Sequence, residues 1–546
     1  MNTSPLSIGE YLIQRLYAHG VRHVFGVTGD YALTFYDQMV HSRLQVVNTC
    51  DEQGAGFAAD AYARLRGLGV VCVTYCVGGL KVANTTAQAF AEKSPVVVIS
   101  GAPGTKERVK DALLHHKVRD FDTQYKVFEQ LTVASTVLDN PETAFREIDR
   151  VLAAALRYRR PVYIELPRDM VNTPGNSQYK PPEFCETSDP DTLREALHEA
   201  RDMINASRNP VIIADVELHR FWLQDDLVQF VEKTNIPVAA TIMGKSVMAE
   251  NHPRYLGVYE GAMGRKDVCE YVEASDCLIL LGVMMTDINL GIFTAHLDQK
   301  RSIYVTSEKV SIRYHNYEGI RLKDFVRGLI EMDIKKRNAG EMPHPKLPEP
   351  FRAERGKNIT VDRLFQCING FLDNDSIVIT DVGDAMFAGS DLFIRNRTEF
   401  LSTAYYASLG FAVPASIGVQ YAKPNLRPLV LVGDGAFQMT GMELSTVVRF
   451  KLCPIIVVLN NNGYGTERPM LDGPFNDLHE WKYSRIPEIL GAGRGFDVKT
   501  EDQLEEALRA ARGYREGFCI LDVHLDKLDS SPALQRLSDS IKKRMK

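Results

Sequence analysis

Between Leu431 and Met470 one apolar strand stops at Gly433-Asp434-Gly435, and a second stops at Asn460-Asn461-Asn462-Gly463. A single amphipathic helix is predicted between them, so the segment reads as strand, helix, parallel strand and commits this part of the chain to an α/β sheet. Both polar clusters then fall at the carboxyl ends of neighbouring strands, where open α/β sheets bind ligands. Asp434 offers a carboxylate, Asn461 an amide oxygen and Gly463 an unshielded backbone carbonyl. An oxygen-only set of this kind suits a small hard cation such as Mg²⁺, completed by phosphate oxygens and water.

A chain of 546 residues is too long for one core and suits about three domains. The hydrophobic share of 45% and charged share of 25% describe an ordinary soluble globular protein. A formal charge of −6 and a pI near 6.2 give no electrostatic case for nucleic acid or an anionic membrane. No apolar run approaches the ~18 residues that span a bilayer, and the opening segment lacks the basic and apolar regions of a secretory signal. The nine cysteines are scattered without a CxxC pair, and Cys50, Cys72, Cys76 and Cys453 are expected to act as small hydrophobes in or beside strands. A cytoplasmic protein with reduced thiols is the expectation.

Along the chain, Ser7 and Glu10 make a capping box for a helix that Gly20 ends. Strands are predicted at His23–Val27, Leu44–Thr49, Val70–Tyr75 and Val96–Ser100, with helices at Gly54–Arg66 and Ala83–Glu92. Runs that are apolar throughout, without alternation, suit buried parallel sheets. The expected blocks are residues 1–180, 192–340 and 358–546, joined by the Pro-containing linkers Asn172–Asp191 and Gly340–Lys357. The second block has strands at Pro210–Ala214, Cys277–Leu281 and Ser302–Val305, and the third opens with a helix at Val361–Phe371 and a strand at Ser376–Thr380. The tail SSPALQRLSDSIKKRMK reads as an amphipathic terminal helix.

Glu52 follows the strand VVNTC at the start of a helix, among small and apolar neighbours that would desolvate its carboxylate, as an acid-base group requires. Taken alone it reads rather as a helix-start Glu favoured by the macrodipole. His115 and His116 sit in LLHHKVRD, on a loop after the helix-breaking GAPGTKE, with no further His or Cys cluster near enough in sequence to suggest a metal. Asp30, in FGVTGDYALTF, follows a strand and is also a candidate N-cap. Glu467 lies just beyond the proposed metal ligands, in NNNGYGTERPM.

The Gly-Asp-Gly joined by one helix to a paired Asn resembles the diphosphate-binding motif of thiamin-diphosphate enzymes. Asp30, His115, His116 and Glu467 match the acid-base set of the pyruvate, indolepyruvate and phenylpyruvate decarboxylase group, and the resemblance covers nearly the whole chain. EKSPVVVISGAPGTKE, LLHHKVRDFDTQYKVFEQLTVA, GDGAFQMTGMEL and FNDLHEW look most like the phenylpyruvate branch, whereas GYGTE resembles the pyruvate and indolepyruvate forms. The resemblance implies three doubly wound parallel-sheet domains that bind pyrimidine, stand in the middle and bind diphosphate. It implies thiamin diphosphate and Mg²⁺ as cofactors, with the metal on Asp434, Asn461 and Gly463. Glu52 becomes the glutamate that hydrogen-bonds the aminopyrimidine ring. Asp384, Ala407, Leu409, Gly435, Ala436 and Thr466 complete the cofactor site, Leu409 as the large aliphatic prop and Ala407 through its carbonyl. Met386, Phe387, Thr466 and Met470 form the implied substrate pocket. Met386 replaces a Trp found in some pyruvate-selective relatives, although it could instead simply fill a core, and Thr466 is smaller than the Ile of others.

The implied activity is non-oxidative decarboxylation of a 2-oxo acid, with phenylpyruvate, indolepyruvate or a long aliphatic acid expected over pyruvate. Active sites are then expected between subunits, in a homodimer at least and commonly a homotetramer. Two other readings stay open on sequence. One is a carboligase or synthase of the acetolactate synthase or benzoylformate decarboxylase/benzaldehyde lyase type, and the other is a cofactor-binding scaffold without turnover.

Overall fold

Apolar runs become strands buried on both faces, because helical crossovers cover both sides of a parallel sheet. The computed structural model describes residues 5–182, 186–338, 340–346, 349–395 and 399–545. Its first sheet holds β1 (His23–Gly26), β2 (Gln45–Asn48), β3 (Gly69–Val73), β4 (Val96–Ala102), β5 (Ser135–Val137) and β6 (Val162–Pro167). All pairings in it are parallel, in the order β2-β1-β3-β4-β6-β5.

The second sheet holds β7 (Pro210–Ala214), β8 (Val238–Ala240), β9 (Tyr255–Val258), β10 (Cys277–Leu281), β11 (Ser302–Val305), β12 (Val310–Ile312) and β13 (His315–Tyr317), in the order β13-β12-β11-β10-β7-β8-β9. The expected all-parallel pattern is modified here, because β12 and β13 add an antiparallel ribbon at one edge. The third sheet holds β14 (Ser376–Thr380), β15 (Phe400–Leu401), β16 (Arg427–Gly433), β17 (Ile455–Asn460), β18 (Arg494–Val498) and β19 (Cys519–His524). Its parallel order, β15-β14-β16-β17-β19-β18, repeats that of the first sheet position for position.

Contacts divide the chain into two compact units. The first comprises Met1–Cys185, Val413–Asn425 and Thr440–Leu452, and the second comprises Glu186–Ala412, Leu426–Met439 and Cys453–Lys546. Within the first, the helix Glu52–Arg66 is nearly encased, and Gly418 packs so close to it that an added Cβ would stand 2.0 Å from the Ala58 carbonyl oxygen. Arg64 on that helix is buried between Asp60 and Glu92, at 2.8 Å from each, so its charge is matched inside the core.

Local signals hold where the chemistry is local. The capping box forms, with Ser7 N–H donating to Glu10 and Glu10 N–H to Ser7 Oγ. The predicted single helix after Asp434 is instead two short ones, Asp434–Thr440 and Leu444–Arg449, joined by a 3-10 turn over Gly441–Glu443. Gly441 is a weak helix former, and the break turns Glu443 inward, where it meets Cys50 and Asp51. GAPGTKE does not break structure: it starts the short helix Thr105–Val109, with Gly104 N–H donating to Glu107 at 2.7 Å. Cys50 is exposed and Cys453 half-buried, whereas Cys72 and Cys76 sit in the core as expected.

Candidate active site

In the third sheet the chain runs to opposite sides from β14 and β16, which makes the gap between them the switch point where doubly wound sheets bind ligands. A cavity of about 270 Å³ opens there, lined by residues that follow β14, β16 and β17. Asp434, Gly435, Ala436, Asn461, Gly463, Ala407, Leu409, Asp384, Thr466 and Glu467 all line it. These ten come from four separate segments of the sequence, and the structure brings them around one space.

Asp434 directly follows β16 and is buried, with Gly435 N–H donating to Oδ1 at 2.8 Å and Gly463 N–H to Oδ2 at 3.0 Å. Burial pushes its pKa up to about 6, against those hydrogen bonds. Among the described residues no cationic side chain pairs with it, so a metal cation is the natural compensation for this charge. Gly433 also lines the cavity, and a Cβ added there meets no protein atom within 4 Å, so the space beside the carboxylate is open. Gly463 has no such room: an added Cβ would stand 2.1 Å from the Asn476 carbonyl oxygen. The loop is fastened there, by Tyr464 N–H to Asn476 O at 2.9 Å and by Arg468, which pairs with Asp472 and Asp477. The donor set and the open space fit a Mg²⁺-bound diphosphate.

Two carboxylates at this site have other work. Asp381, the residue after β14, is fully buried and accepts N–H bonds from Val382, Gly410 and Ala412, at 3.0, 3.1 and 2.9 Å. It thereby holds the loop that carries Ala407, itself in the left-handed region at φ 59°, and Leu409. Sequence reasoning missed Asp381, although a carboxylate directly after an apolar strand is the same signal that marked Asp434. Asp384 lines the cavity, but its carboxylate accepts bonds from the Ser531 N–H, at 2.8 Å, and the Ser531 hydroxyl. Gly383 between them needs its freedom, with φ at 97° and Thr466 Oγ1 2.9 Å from the place of a Cβ.

The implied substrate-pocket residues separate. Thr466 lines the cavity, but Met386 and Phe387 do not: they are 2% and 5% exposed and pack with Val216, Ile242, Ala533 and Leu534. This is the core-filling alternative for Met386, with Leu534 alone shared between that cluster and the cavity wall. Met470 is exposed.

Asp381→Asn should lower the thermal midpoint by several degrees, since an amide cannot accept all three N–H bonds and each buried donor left unpaired costs about 1–3 kcal/mol. A melting curve superimposable on wild type would remove this role from Asp381.

The first unit holds the other expected residues. Asp30 is not an N-cap; the helix Leu33–Val40 begins at Ala32 without a side-chain cap. Its carboxylate meets His115 Nε2 at 2.8 Å instead. Tyr31 stacks on His115 with ring centroids 4.9 Å apart and gives its hydroxyl hydrogen to the His115 carbonyl oxygen at 3.3 Å. His116 lies against His115, at a centroid distance of 4.7 Å, in the left-handed region at φ 68°. Its Nδ1 is buried without a hydrogen-bond partner. An adjacent pair of His, a carboxylate and a strained backbone make a cluster able to pass protons, with Asp30 and His115 open to solvent and His116 partly buried.

Glu52 is the first residue of its helix, behind the N-cap Asp51. The small and apolar neighbours expected around Glu52 are joined by a cation: Lys81 Nζ lies 2.9 Å from Glu52 Oε2 and also pairs with Asp51. The turn before the helix is fixed by Glu443, which accepts N–H bonds from Cys50 at 3.2 Å and Asp51 at 3.0 Å. Lys81 and Glu443 were both missed. Glu443 had a faint signal, a lone carboxylate in the otherwise apolar GMELSTVV, while Lys81 in LKVANTT had none.

The whole chain has known relatives. The chain matches the thiamine pyrophosphate enzyme N-terminal TPP binding domain over residues 6–124, the central domain over 197–328 and the C-terminal TPP binding domain over 381–523. It is 35% identical over 539 residues to an indole-3-pyruvate decarboxylase of Azospirillum brasilense, covering 97% of each chain. It is 32% identical to an alpha-keto-acid decarboxylase of Mycolicibacterium paratuberculosis, over 96% of this chain and 94% of that one. It is also 31% identical to pyruvate decarboxylase 3 of Arabidopsis thaliana, over 98% and 93%. With a buried carboxylate at the switch point of one sheet, a His pair whose His115 is bonded to Asp30 beside another, and these matches along its length, the chain belongs to the thiamin-diphosphate-dependent 2-oxo acid decarboxylases.

Proposed function

We propose that this enzyme converts 2-oxo acids bearing an aryl or long aliphatic side chain, phenylpyruvate and indolepyruvate among them, to the aldehyde and CO₂. The carrying observation is the switch-point cavity, where Asp434, Asn461 and the Gly463 carbonyl offer oxygen ligands for the Mg²⁺ that would tie the diphosphate down. When bound, thiamin diphosphate supplies the nucleophilic carbon and the electron sink for decarboxylation. The chain's own groups do the rest. Glu52 holds the aminopyrimidine ring and moves its proton, Leu409 props the cofactor, and Ala407 offers its carbonyl. Asp30, His115, His116 and Glu467 share the later proton transfers to and from the product. Because Glu52 and Asp434 would act from two copies of the chain, the proposed active form is a homodimer at least, and a cytoplasmic homotetramer in full. The exposed apolar side chains of Leu471 and Phe475, close in sequence to the cavity residues, support such a partner-covered surface.

Preference for larger substrates is supported by Thr466, a small side chain on the cavity wall, whereas Met386 packs with Val216 and Ile242. Burial of an aryl group there contributes about 25 cal/mol per Å² of apolar surface. A panel of 2-oxo acids, assayed for aldehyde release with Mg²⁺ and thiamin diphosphate, should give a higher kcat/KM for phenylpyruvate, indolepyruvate or a long aliphatic acid than for pyruvate. A pyruvate value above all of these would reverse the assignment. Among active-site variants, His116→Phe should slow decarboxylation or aldehyde release by roughly 10²-fold or more, the scale of acid-base catalysis, while leaving cofactor affinity unchanged. Weakened cofactor binding in a titration of that variant would place His116 in the wrong group.

A further inference from the structure

One side-chain cluster of the third sheet takes no part in the proposed chemistry. Asp497 of β18 stands in register with Asp522 of β19, and His524 of β19 stands in register with Asn460 of β17. Neighbours in register, and residues two apart on one strand, share a face of the sheet, so these four side chains point the same way. His524 Nε2 lies 2.6 Å from Asp497 Oδ1 and 3.9 Å from Asp522 Oδ1, and the ligand atoms of the three residues all fall within 4.8 Å of one another.

A second observation concerns Asn460. It is 2% exposed, and its amide nitrogen donates to Asp522 Oδ1 at 2.8 Å, yet its Oδ1 has no hydrogen-bond partner. The two ends of an amide are told apart by their neighbours. Facing a bare carboxylate, Asn460 must present its nitrogen and strand its oxygen. Facing a carboxylate that holds a cation, it can turn over and present the oxygen to the metal.

We propose that Asp497, Asp522 and His524, joined by Asn460 Oδ1, form a second divalent-cation site, separate from the Asp434 set and suited to a borderline metal of the Zn²⁺ class. An imidazole among oxygens selects Zn²⁺, Co²⁺ or Mn²⁺ over Mg²⁺ and Ca²⁺. The spacing needs little change. Zn–N and Zn–O bonds near 2.0–2.1 Å give a tetrahedral edge of about 3.3–3.4 Å, against the 3.9 Å between His524 and Asp522. Asp497, about half exposed, has the freedom to withdraw from its direct contact with His524. Glu480 Oε1, 4.0 Å from His524 Nδ1, stands where it can accept the other ring N–H and fix the tautomer. Asp522 also accepts the Ser484 N–H at 3.4 Å, so a bound ion would fasten the edge strand β18 to β19 and to the turn at Tyr483–Arg485.

The test is a titration of holoenzyme saturated with Mg²⁺ and thiamin diphosphate and freed of other divalent metals. Co²⁺ is added first, followed by Zn²⁺ in competition. The expected result is one Co²⁺ per chain with the visible absorption of a nitrogen-containing site, displaced by Zn²⁺ and accompanied by a raised thermal midpoint. Affinity should fall at least about tenfold in His524→Ala and in Asp497→Ala, both partly exposed positions, and should persist in Asp434→Ala. The proposal is overturned by the absence of Co²⁺ binding beyond what Mg²⁺ displaces. It is equally overturned by a Co²⁺ site that survives His524→Ala and disappears with Asp434→Ala.

Discussion

Asp434→Ala should give a folded protein that no longer retains thiamin diphosphate at moderate Mg²⁺. The fold tolerates the change because the buried Asp434 carboxylate has no cationic side-chain partner among the described residues, and burial already disfavours its charge. What is lost for stability is the acceptor for two backbone N–H groups, those of Gly435 and Gly463, at about 1–3 kcal/mol per group. Binding has no such cushion. Losing an outer-shell partner of a metal commonly costs 10–100-fold in metal affinity, so losing a direct ligand should cost at least about 100-fold here. Equilibrium dialysis of thiamin diphosphate at fixed Mg²⁺ reads this directly, and wild-type occupancy in the variant would remove the metal from Asp434.

Glu52→Gln separates shape from proton chemistry. The amide keeps the size of the side chain at the start of its helix, and the turn before it stays fixed by Glu443 and the Asp51 cap. Cofactor should therefore bind nearly as in wild type. Turnover should fall by roughly 10²–10⁴-fold, the range of a lost acid-base group. Lys81 adds a condition. Its ammonium pairs with Glu52 Oε2 at 2.9 Å, so Glu52 must give up or share this ion pair to reach a cofactor. Lys81 itself is half exposed, so its ammonium can turn to solvent when Glu52 is released, although the largely buried Glu52 then depends on the cofactor for a partner. A Glu52→Gln enzyme with wild-type kcat would reduce Glu52 to a helix-start residue.

The two sites differ in how much of them could be read from residues alone. The Asp434 site was legible because its parts are local: an apolar strand, a polar stop, a crossover and a second strand, with spacing that forces both stops to one end of the sheet. The β14–β17 core followed from the same apolar runs, and Ser376–Thr380 and Val361–Phe371 form as expected. What could not be read depends on contacts between distant segments. Asp30 looks like an N-cap until the loop carrying His115, 85 positions on, is folded back onto it. Lys81 and Glu443 reach Cys50, Asp51 and Glu52 only through tertiary packing, and neither position carries a periodicity that would reveal it. Met386 shows the same dependence on distant segments: its position suggested a pocket wall, and in the structure it packs against Val216, Ile242 and the C-terminal helix. The split of the helix after Asp434 had a local sign in Gly441, but the contacts that Glu443 makes with Cys50 and Asp51 because of it did not.

The division of labour between Glu52 and the later proton carriers can be measured in one experiment, the exchange of the cofactor's C2 proton with deuterium in wild type, Glu52→Gln and Glu467→Gln holoenzymes. Exchange should collapse in Glu52→Gln alone, while Glu467→Gln exchanges at the wild-type rate and releases aldehyde slowly. Equal loss of exchange in both variants, or undiminished exchange in Glu52→Gln, would contradict the roles assigned to these residues.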